Sequence, residues 1–394
     1  MPDEATAAPA KTPRSVILGC AGEHLSADES RFFRAADPVG FILSRRNCRS
    51  PDQVRELTAA LRDVIGRGDA PILIDQEGGR VARLRPPFWR LYPSAARLGS
   101  LPDPQAEVAV RLCARLIADD LQDLGITVDC LPVLDVPIAG AHPVIGDRAY
   151  GTEPNRVTKL ARAACHGLLN GGVLPVIKHI PGHGRARVDS HHACPVVETE
   201  SDELLRTDFA PFRALAAMPW AMTAHIVYLA IDPKEPATWS HRVISEVIRG
   251  VFGFDGVLVS DDLSMQALGG EIGERARRAL SAGCDLVLHC NADRGEMEAI
   301  VAATGPISTR AAERLARAEA VRYGSKLKGF NRREAEAKFE ALLGVENFRR
   351  SQKSEPDWWP SRDALSGEHL GAASRDRGDL SRGRARVRRL PLWR

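Results

Sequence analysis

Short apolar segments alternate with amphipathic segments from residue 15 to about residue 303, and this alternation constrains the fold more than any other feature. The apolar segments have the length of buried β-strands and lie near residues 15–20, 39–44, 71–75, 127–134, 174–178, 221–226, 256–261 and 285–290. The clearest helical patterns between them lie at 51–65, 105–124, 154–169, 201–217, 241–252 and 271–282, with a shorter one at 28–36. Ser240 is a predicted N-cap and Gly253 a predicted stop for the helix at 241–252.

Eight strands with intervening helices predict an α/β chain folded as a closed parallel (β/α)8 barrel of the TIM type. An open doubly wound sheet is the alternative, but no G-x-G-x-x-G follows a strand, and Gly78-Gly79 alone is a weak signal. Barrels extend to about 250 residues or more as one unit. We therefore expect a flexible N-terminus at 1–14, a single catalytic domain at 15–350 and a separate tail at 351–394.

The C-terminal segment differs from the rest of the chain in charge. Residues 371–394 contain eight Arg and two Asp, whereas the whole chain has a net charge of +3, so the remainder carries −3. A mildly acidic body gives no indication of nucleic-acid binding. The segment has Ser, Gly and Arg without helical or strand periodicity, which predicts a disordered tail. Contact with an anionic partner is one interpretation of the tail; a solvated, dispensable extension is the one we favour.

Cysteine usage and the N-terminus indicate a cellular compartment. The eight Cys form no C-x-x-C pair, and several lie inside apolar patterns, as is typical of reduced core residues in a cytosolic protein. Residues 1–14 lack the apolar segment of a secretory signal, and no stretch approaches the roughly 20 apolar residues of a membrane span. We expect a cytoplasmic protein that acts as a monomer and contacts neither membrane nor nucleic acid.

Polar residues follow four of the predicted strands at the point where each strand ends. The strand at 174–178 runs into a loop that carries Lys178, His179, His183, Asp189, His191 and His192. The strand at 71–75 ends on Asp75, that at 221–226 on His225, and that at 256–261 on Asp261 and Asp262. The carboxyl ends of the strands are the catalytic face of a (β/α)8 barrel. The sequence therefore predicts an active site built from these segments.

The residue types at these strand ends match the requirements of glycosidic-bond hydrolysis. That reaction needs one group to protonate the leaving oxygen and a carboxylate to meet the oxocarbenium-like carbon. Asp261 fits the carboxylate and His191 the acid, because a carboxylate two residues earlier, Asp189, can orient the imidazole and favour its protonated form. The same histidine, once neutral, could take a proton from water.

Six segments, in order along the predicted barrel, carry a resemblance to a known family. They are IDQEGGRVARL at 74–84, PVLDV at 132–136, GDRAYG at 146–151, KHIPGHG at 178–184 followed by DSH at 189–191, AHIVY at 224–228, and SDDLSM at 260–265. The most specific combination is the lysine-histidine loop with its downstream D-S-H, followed by S-D-D-L-S-M. In these segments the chain resembles the bacterial β-N-acetylhexosaminidases of glycoside hydrolase family 3, of the single-domain cytosolic type.

The resemblance implies a role for each matching residue. It implies Asp261 as nucleophile, an acid/base dyad of His191 and Asp189, and sugar contacts from Asp75, Arg83, Arg148, Lys178 and His179. It also implies a barrel that needs no cofactor or metal and that removes terminal β-linked N-acetylglucosamine, with retention, from peptidoglycan-derived muropeptides. The side chains are suited to this, because Asp75 can accept two hydroxyl hydrogen bonds, while Arg148 and Lys178 can donate to hydroxyl or acetamide oxygens.

Several alternatives stay open. His192 directly follows His191, so either ring could face the sugar, although the D-S-H spacing favours His191. His179, His183, His191, His225 and Asp261 could in principle bind zinc in a metal-dependent hydrolase, but no two of these histidines share a strand or helix with ligand spacing. A sugar-binding protein without catalysis is a third possibility, which the intact Asp261, Asp189 and His191 oppose.

Other residues near the predicted site have structural interpretations. We expect His183 to shape the loop by hydrogen bonding, Asp262 to support the loop after its strand, and Glu77 to pair locally with Arg80 or Arg83. His225 is equally consistent with a packed core histidine and with a residue that supports the site. Trp89, Tyr150, Tyr228 and Trp239 are candidates for stacking on a sugar ring, but packing is the more frequent role of such aromatics.

Overall fold

The computed structural model describes residues 12–344, and these residues contain eleven strands. The strands are β1 (Arg14–Gly19), β2 (Pro38–Leu43), β3 (Ile72–Ile74), β4 (Val128–Asp129), β5 (Leu174–Ile180), β6 (Val196–Val197), β7 (Trp220–Thr223), β8 (Val227–Tyr228), β9 (Asp232–Pro236), β10 (Val257–Asp262) and β11 (Leu286–His289). Eight of them close into a barrel in the order β1-β11-β10-β7-β5-β4-β3-β2, and every neighbouring pair is parallel. The predicted (β/α)8 barrel is confirmed.

Helices connect the strands on the outside of the barrel. They are α1 (Ala27–Ala36), α2 (Pro51–Ile65), α3 (Ala95–Gly99), α4 (Gln105–Asp123), α5 (Pro154–Asn170), α6 (Ser201–Arg206), α7 (Ala210–Ala214), α8 (Ile272–Ala282), α9 (Arg294–Ala303), α10 (Thr309–Ser325) and α11 (Arg332–Leu343). Short 3-10 turns lie at Arg45–Asn47 and Gly146–Arg148, and a π-helix lies at Val243–Val251. The hydroxyl of Ser240 accepts the Val243 N–H, and Gly253 follows the helix with φ +69°, as the sequence predicted.

The strands are apolar on both faces because the barrel has two cores. Alternate residues such as Ile17, Ile42 and Leu73 point into the barrel interior with Trp220 and Val257. Their neighbours along the strands, such as Val16, Phe41 and Ile72, pack instead against the helices. Successive side chains of a strand point to opposite faces, and in a barrel covered by helices both faces are buried. The continuous apolar runs in the sequence are therefore the signature of this architecture.

Two predicted elements differ from the structure. The strand expected at 127–134 is only two residues long, because the chain bends at Asp129–Leu131 and Pro132 has no N–H to continue a ladder. The helix expected at 201–217 is broken at residues 207–209, where the buried Asp208 turns inward to accept a hydrogen bond from Arg185. The strands β6, β8 and β9, which form a separate three-stranded sheet, were not predicted.

The predicted termini fall largely beyond the part of the chain that the structure describes. Of the N-terminal segment 1–14, only residues 12–14 are described, and Arg14 already belongs to β1. The predicted tail at 351–394 lies entirely outside the described residues. Within residues 12–344, no helix has both the length and the apolar character required to cross a membrane.

Gly40 offers a test of the close packing between β2 and β3. A Cβ atom there would lie 2.3 Å from the backbone oxygen of Pro71 and 2.8 Å from its Cγ. Because backbone cannot move aside as a flexible side chain can, Gly40→Ala should lower the free energy of unfolding by about 3 kcal/mol, measured by denaturant titration. Gly22→Ala is the control, since nothing lies within 4 Å of its added Cβ, and it should change stability by less than about 0.5 kcal/mol. Equal effects of the two substitutions would contradict this account.

Candidate active site

The carboxyl ends of four barrel strands, and the loops that follow them, bring the predicted site residues to one face. Asp75 directly follows β3, Lys178 and His179 lie in β5, and Asp261 lies in β10. Arg83 comes from the loop after β3, and Arg148 ends the 3-10 turn that follows β4. The histidine loop (residues 181–195), which follows β5, carries Asp189 and His191. Every residue predicted for the site therefore belongs to the carboxyl-terminal face of the barrel.

Lys178 is the centre of a buried charge network. Its side chain is 2% exposed, and its ammonium donates to Asp75 Oδ1 at 3.0 Å and contacts Glu77 Oε1 at 2.6 Å. Arg83 donates to the other oxygen of Asp75 at 2.9 Å. Burial alone would raise the pKa of the Asp75 carboxyl, but Lys178 and Arg83 outweigh it and hold that pKa far below its usual range. Burial would likewise lower the pKa of Lys178, yet the two carboxylates raise it, so the ammonium stays charged.

Glu77 joins this network to Arg148, and the expectation of a local pair with Arg80 or Arg83 was wrong. Arg148 donates to both oxygens of Glu77, each at 2.9 Å, in the bidentate geometry that gives strong ion pairs. Arg80 instead pairs with Asp147 at 2.9 Å. Against the effect of burial, Arg148 and Lys178 lower the pKa of Glu77 to about 2. Glu77 lies 71 residues from Arg148 along the chain, so no local spacing in the sequence indicated this pair.

Asp135 is a second residue whose role the sequence did not reveal. It is fully buried and accepts three hydrogen bonds: from the His179 ring Nδ1 at 2.7 Å, the His179 backbone N–H at 3.2 Å and the His183 backbone N–H at 2.6 Å. Arg148 reaches the other ring nitrogen of His179 at 3.4 Å, so the neutral tautomer with a proton on Nδ1 fits both contacts. Asp135 belongs to the PVLDV segment, where an acidic residue among apolar neighbours was the available signal.

Asp261, near the carboxyl end of β10, has an ionised carboxyl group. Burial would raise its pKa, but His179, His225 and the Asp262 N–H outweigh this and lower it below its usual value. His225 is itself buried, and burial lowers its pKa. It contacts the Thr238 hydroxyl at 2.7 Å and the Asp262 carbonyl oxygen at 3.1 Å. His225 therefore supports the backbone beside Asp261, and is not simply a packed core residue.

Asp189 and His191 form a hydrogen-bonded pair at the surface. Asp189 Oδ1 lies 2.7 Å from His191 Nδ1 and accepts the His191 backbone N–H at 2.9 Å. The contacts with His191 lower the pKa of the Asp189 carboxyl in spite of its partial burial. The His191 side chain is 58% exposed, and its backbone oxygen accepts the Gln266 N–H at 3.2 Å, just beyond β10. Within residues 12–344, His192 contacts Asp189 only through its backbone N–H, which donates to the Asp189 carbonyl oxygen. This difference favours His191 over His192 as the ring that Asp189 orients.

The histidine loop lies very close to the loop after β4. A Cβ atom on Gly184 would be 2.0 Å from the Val136 backbone oxygen, so only glycine fits there. The Ile138 N–H donates to the Gly184 oxygen at 3.3 Å, and the His142 N–H donates to the Ala186 oxygen at 2.7 Å.

Asp262 supports the loop after β10, as the sequence analysis predicted. Its carboxylate accepts hydrogen bonds from the N–H groups of Ser264 and Cys290.

The four aromatic residues considered for sugar stacking are engaged in packing. Trp89, Tyr150 and Tyr228 are buried. The Trp239 ring is covered by the Arg278 guanidinium, whose carbon lies 3.8 Å from the ring centre, and its N–H donates to the Arg275 oxygen. Packing, the more frequent role of such residues, is therefore the role that the structure shows for these four.

Among residues 12–344 no group of three or more His, Cys, Asp or Glu side chains is arranged to hold a metal ion. The histidines considered for zinc have other partners: His179 binds Asp135, His183 binds Ser190, and His225 binds Thr238. That geometry gives the metal-dependent alternative no support.

The barrel is closed and parallel, and its catalytic face combines an ionised carboxylate, an Asp-His pair and a buried set of hydrogen-bond donors. These features define the protein as a hydrolase of the glycosidase class. The N-terminal domain of glycosyl hydrolase family 3 matches residues 26–318. The β-hexosaminidase of Pseudomonas aeruginosa is 38% identical over 314 residues, which cover 79% of this chain and 92% of that protein. The β-hexosaminidase of Alkalilimnicola ehrlichii is 41% identical over 283 residues, 70% of this chain and 80% of that protein.

Solved structures agree with these relatives. NagZ of Neisseria gonorrhoeae superimposes with a TM-score of 0.75 at 34% identity and covers 86% of this chain and all of its own. A family 3 β-N-acetylglucosaminidase of a Paenibacillus species gives a TM-score of 0.74 at 33% identity, with 83% of this chain and 66% of that chain covered. The chain therefore belongs to glycosyl hydrolase family 3, where it groups with the β-hexosaminidases, and the resemblance inferred from the motifs is confirmed.

The buried network predicts a large effect of removing one carboxylate. Glu77→Gln leaves Lys178 and Arg148 with one fewer buried anion and should lower the free energy of unfolding at neutral pH by about 3 kcal/mol. The contribution of Glu77 is fully present above its ordinary pKa of 4.5 and is lost as the pH falls towards about 2, so the difference from wild type should shrink in acid. Denaturant unfolding at several pH values measures both effects.

Glu107→Gln is the matched control for Glu77→Gln. Glu107 pairs with Lys159 at 3.4 Å, and both side chains are nearly half exposed. Exposed pairs contribute about 0–1 kcal/mol, so this variant should stay close to wild type. A Glu77→Gln protein as stable as Glu107→Gln would contradict the importance assigned to the network.

Proposed function

We propose that this chain is a retaining exo-β-N-acetylglucosaminidase that removes terminal β-linked N-acetylglucosamine from peptidoglycan-derived muropeptides. In this proposal Asp261 is the nucleophile, the Asp189–His191 pair is the acid/base dyad, and Asp75, Arg83, Arg148, Lys178 and His179 bind the sugar. The observation that carries it is the 2.7 Å contact between Asp189 and His191, on a loop hydrogen-bonded to the segment that follows Asp261.

The choice of sugar is supported by the relatives. The Pseudomonas aeruginosa protein is named a β-hexosaminidase, the Paenibacillus protein a β-N-acetylglucosaminidase, and one Neisseria gonorrhoeae NagZ structure is a complex with N-trifluoroacetyl-D-glucosamine. In this chain, Lys178, Arg83 and Arg148 are cationic donors and Asp75 is an ionised acceptor. Such a set can bind both the hydroxyl groups and the acetamide oxygen of an amino sugar.

The first half of the reaction breaks the glycosidic bond. The ionised Asp261 attacks the anomeric carbon and forms an ester, while the bonding electron pair leaves with the aglycone oxygen. That oxygen takes the proton from His191. Because Asp189 holds Nδ1, the Nε2 atom of His191 is the one free to deliver it.

The second half hydrolyses the ester. His191 is now neutral, and its Nε2 takes a proton from a water molecule, whose oxygen attacks the anomeric carbon and releases Asp261. Two displacements at the same carbon retain its configuration. Because the protein carboxylate supplies the first nucleophile, the acetamide of the substrate is not required for attack.

The muropeptide substrate and the cytoplasmic location form the finer part of the proposal. All eight cysteines are free and none forms a disulfide, which is consistent with a reducing compartment. Exposed cations near the dyad, such as Arg187, suit an aglycone that carries carboxylates. Monomeric behaviour stays a prediction.

A slow-reacting fluorinated amino sugar should trap the intermediate on Asp261. Mass spectrometry of the digested protein should find one added sugar mass on the peptide that contains Asp261, because the ester is hydrolysed slowly when the oxocarbenium-like transition state is disfavoured. Asp261→Asn should abolish the label, and NMR of the product should find retained configuration. Label on another residue, or an inverted product, would overturn the assignment.

Release of N-acetylglucosamine from an aryl β-glycoside serves as the accompanying assay. The proposed mechanism uses only side chains of this protein, so EDTA should leave the rate unchanged. Activity that is lost with EDTA and restored by zinc would favour the metal-dependent alternative.

Replacement of His191 should have an effect that depends on the leaving group. His191→Ala should reduce kcat/KM on the order of 10²-fold to 10⁴-fold for substrates that leave as sugar alcohols, but much less in the glycosylation of an activated aryl glycoside, which leaves without a proton. Addition of Asp189→Asn to His191→Ala should cause little further loss, since the two residues act as a unit.

His192→Ala is the matched comparison for His191→Ala. It removes the neighbouring ring and leaves the Asp189–His191 contact in place. It should therefore leave the leaving-group dependence unchanged. Leaving-group dependence in His192→Ala but not in His191→Ala would move the acid/base role to His192.

A further inference from the structure

The middle residue of the D-S-H segment points away from the residues on either side of it. Ser190 is 3% exposed, whereas the His191 side chain beside it is 58% exposed. The Ser190 hydroxyl oxygen lies 3.0 Å from Nε2 of His183, which precedes it by seven residues in the same loop. The buried serine therefore connects the tip of the histidine loop to its base.

His183 is itself held rigidly. Its backbone N–H donates to Asp135 at 2.6 Å, and its ring packs edge-on against His179 with 5.5 Å between ring centres. Burial, together with the neighbouring His179, lowers the pKa of His183 to about 4, so the ring is neutral near neutral pH. Asp135 thus fixes both the histidine predicted to bind the sugar and the histidine that holds Ser190.

The surroundings of the two ring nitrogens of His183 determine which partner donates the hydrogen bond between His183 and Ser190. Nδ1 of His183 is buried and has no hydrogen-bond partner among residues 12–344. A neutral imidazole has one N–H, and an unpaired buried N–H is rarer than an unpaired acceptor. The proton therefore resides on Nε2, which donates to the Ser190 hydroxyl oxygen.

The backbone around Ser190 is anchored on the opposite side. The Ser190 carbonyl oxygen accepts the Ala267 N–H at 3.2 Å, and the His191 carbonyl oxygen accepts the Gln266 N–H at the same distance. Both donors belong to the segment that follows β10, the strand of Asp261. Ser190 is consequently held by His183 through its side chain and by the Asp261 loop through its backbone.

We propose that Ser190 is a positioning residue, whose hydrogen bond to His183 holds the Asp189–His191 pair beside the segment that follows Asp261, where His191 can exchange a proton with the aglycone oxygen. The inference rests on the proposed function, in which that pair is the acid/base dyad. Asp189 and His191 are the immediate neighbours of Ser190, and a displacement of about 1 Å in a reacting group can reduce a rate by on the order of 10²-fold. The proposal gives Ser190 no contact with the substrate or the reacting atoms, because its side chain is buried.

The test compares Ser190→Ala with Ser190→Thr on two substrates, an alkyl β-N-acetylglucosaminide and a dinitrophenyl one. Ser190→Ala should lower kcat/KM for the alkyl glycoside on the order of tenfold, which corresponds to the free energy of one buried hydrogen bond. It should change kcat/KM for the dinitrophenyl glycoside by less than about threefold, because that leaving group departs without a proton. Ser190→Thr keeps the hydroxyl and should restore most of the alkyl activity. In the His191→Ala background, Ser190→Ala should cause no further loss.

Ser245→Ala is the matched control, because Ser245 also contacts a histidine, His241, at 3.3 Å, but on an exposed helix surface. Ser245→Ala should leave kcat/KM for both substrates unchanged.

If Ser190→Ala does not fold, Ser190→Cys keeps the side-chain volume and weakens the hydrogen bond, and it should give the same pattern of losses. Equal losses on both substrates, or a further loss in the His191→Ala background, would overturn the inference. If the loss of activity in His191→Ala does not depend on the leaving group, the proposed function is wrong, and this inference fails with it.

Discussion

Lys178 carries a positive charge into the interior of the barrel mouth, and the rest of the site depends on how that charge is balanced. An unpaired ammonium there would be strongly unfavourable, because an ion loses its hydration on burial. Asp75 and Glu77 supply the compensating charges, and Glu77 in turn binds Arg148 through both oxygens. β3, β5 and the turn after β4 are thereby fixed relative to one another. Asp129 is buried near them, and burial is the chief cause that raises its pKa well above its usual value.

The site also depends on a second buried carboxylate, that of Asp135. It orients His179, which is proposed to bind the sugar, and it fixes the backbone of His183, whose ring contacts Ser190. The two halves of the proposed chemistry, recognition of the sugar and delivery of the proton, thus share one buried carboxylate. Against the effect of burial, His179 and His183 lower the pKa of Asp135 and keep it ionised.

The parts of the fold and site that the sequence predicted are those encoded by local patterns. The barrel strands are buried on both faces, so β1, β3 and β10 appear as short apolar runs. Asp75 is recognisable because it follows the run of β3, and Asp261 because it follows the apolar residues of β10. The helix at 201–217 could not be predicted as broken, since the break serves a contact between Asp208 and Arg185 in another loop.

The parts that could not be predicted depend on contacts across the chain. Glu77 was expected to pair with the nearby Arg80 or Arg83, and only the folded barrel brings the distant Arg148 to it. Ser190 is a small polar residue in a polar loop, and its inward orientation follows from contacts with His183 and Ala267.

The histidine loop is attached to the barrel mainly by hydrogen bonds near its base and tip, whereas the proposed sugar-binding residues are built into the strands and the loops after β3 and β4. This division separates two kinds of evolutionary change. In the proposed function, substitutions in the exposed part of the loop, around Arg187 and Val188, are expected to alter which aglycones are accepted, because these side chains lie outside the barrel interior. The proposal makes exchange of this loop a modular route to new leaving-group preferences, in which the scaffold retains one sugar and the exchanged segment selects what that sugar is attached to.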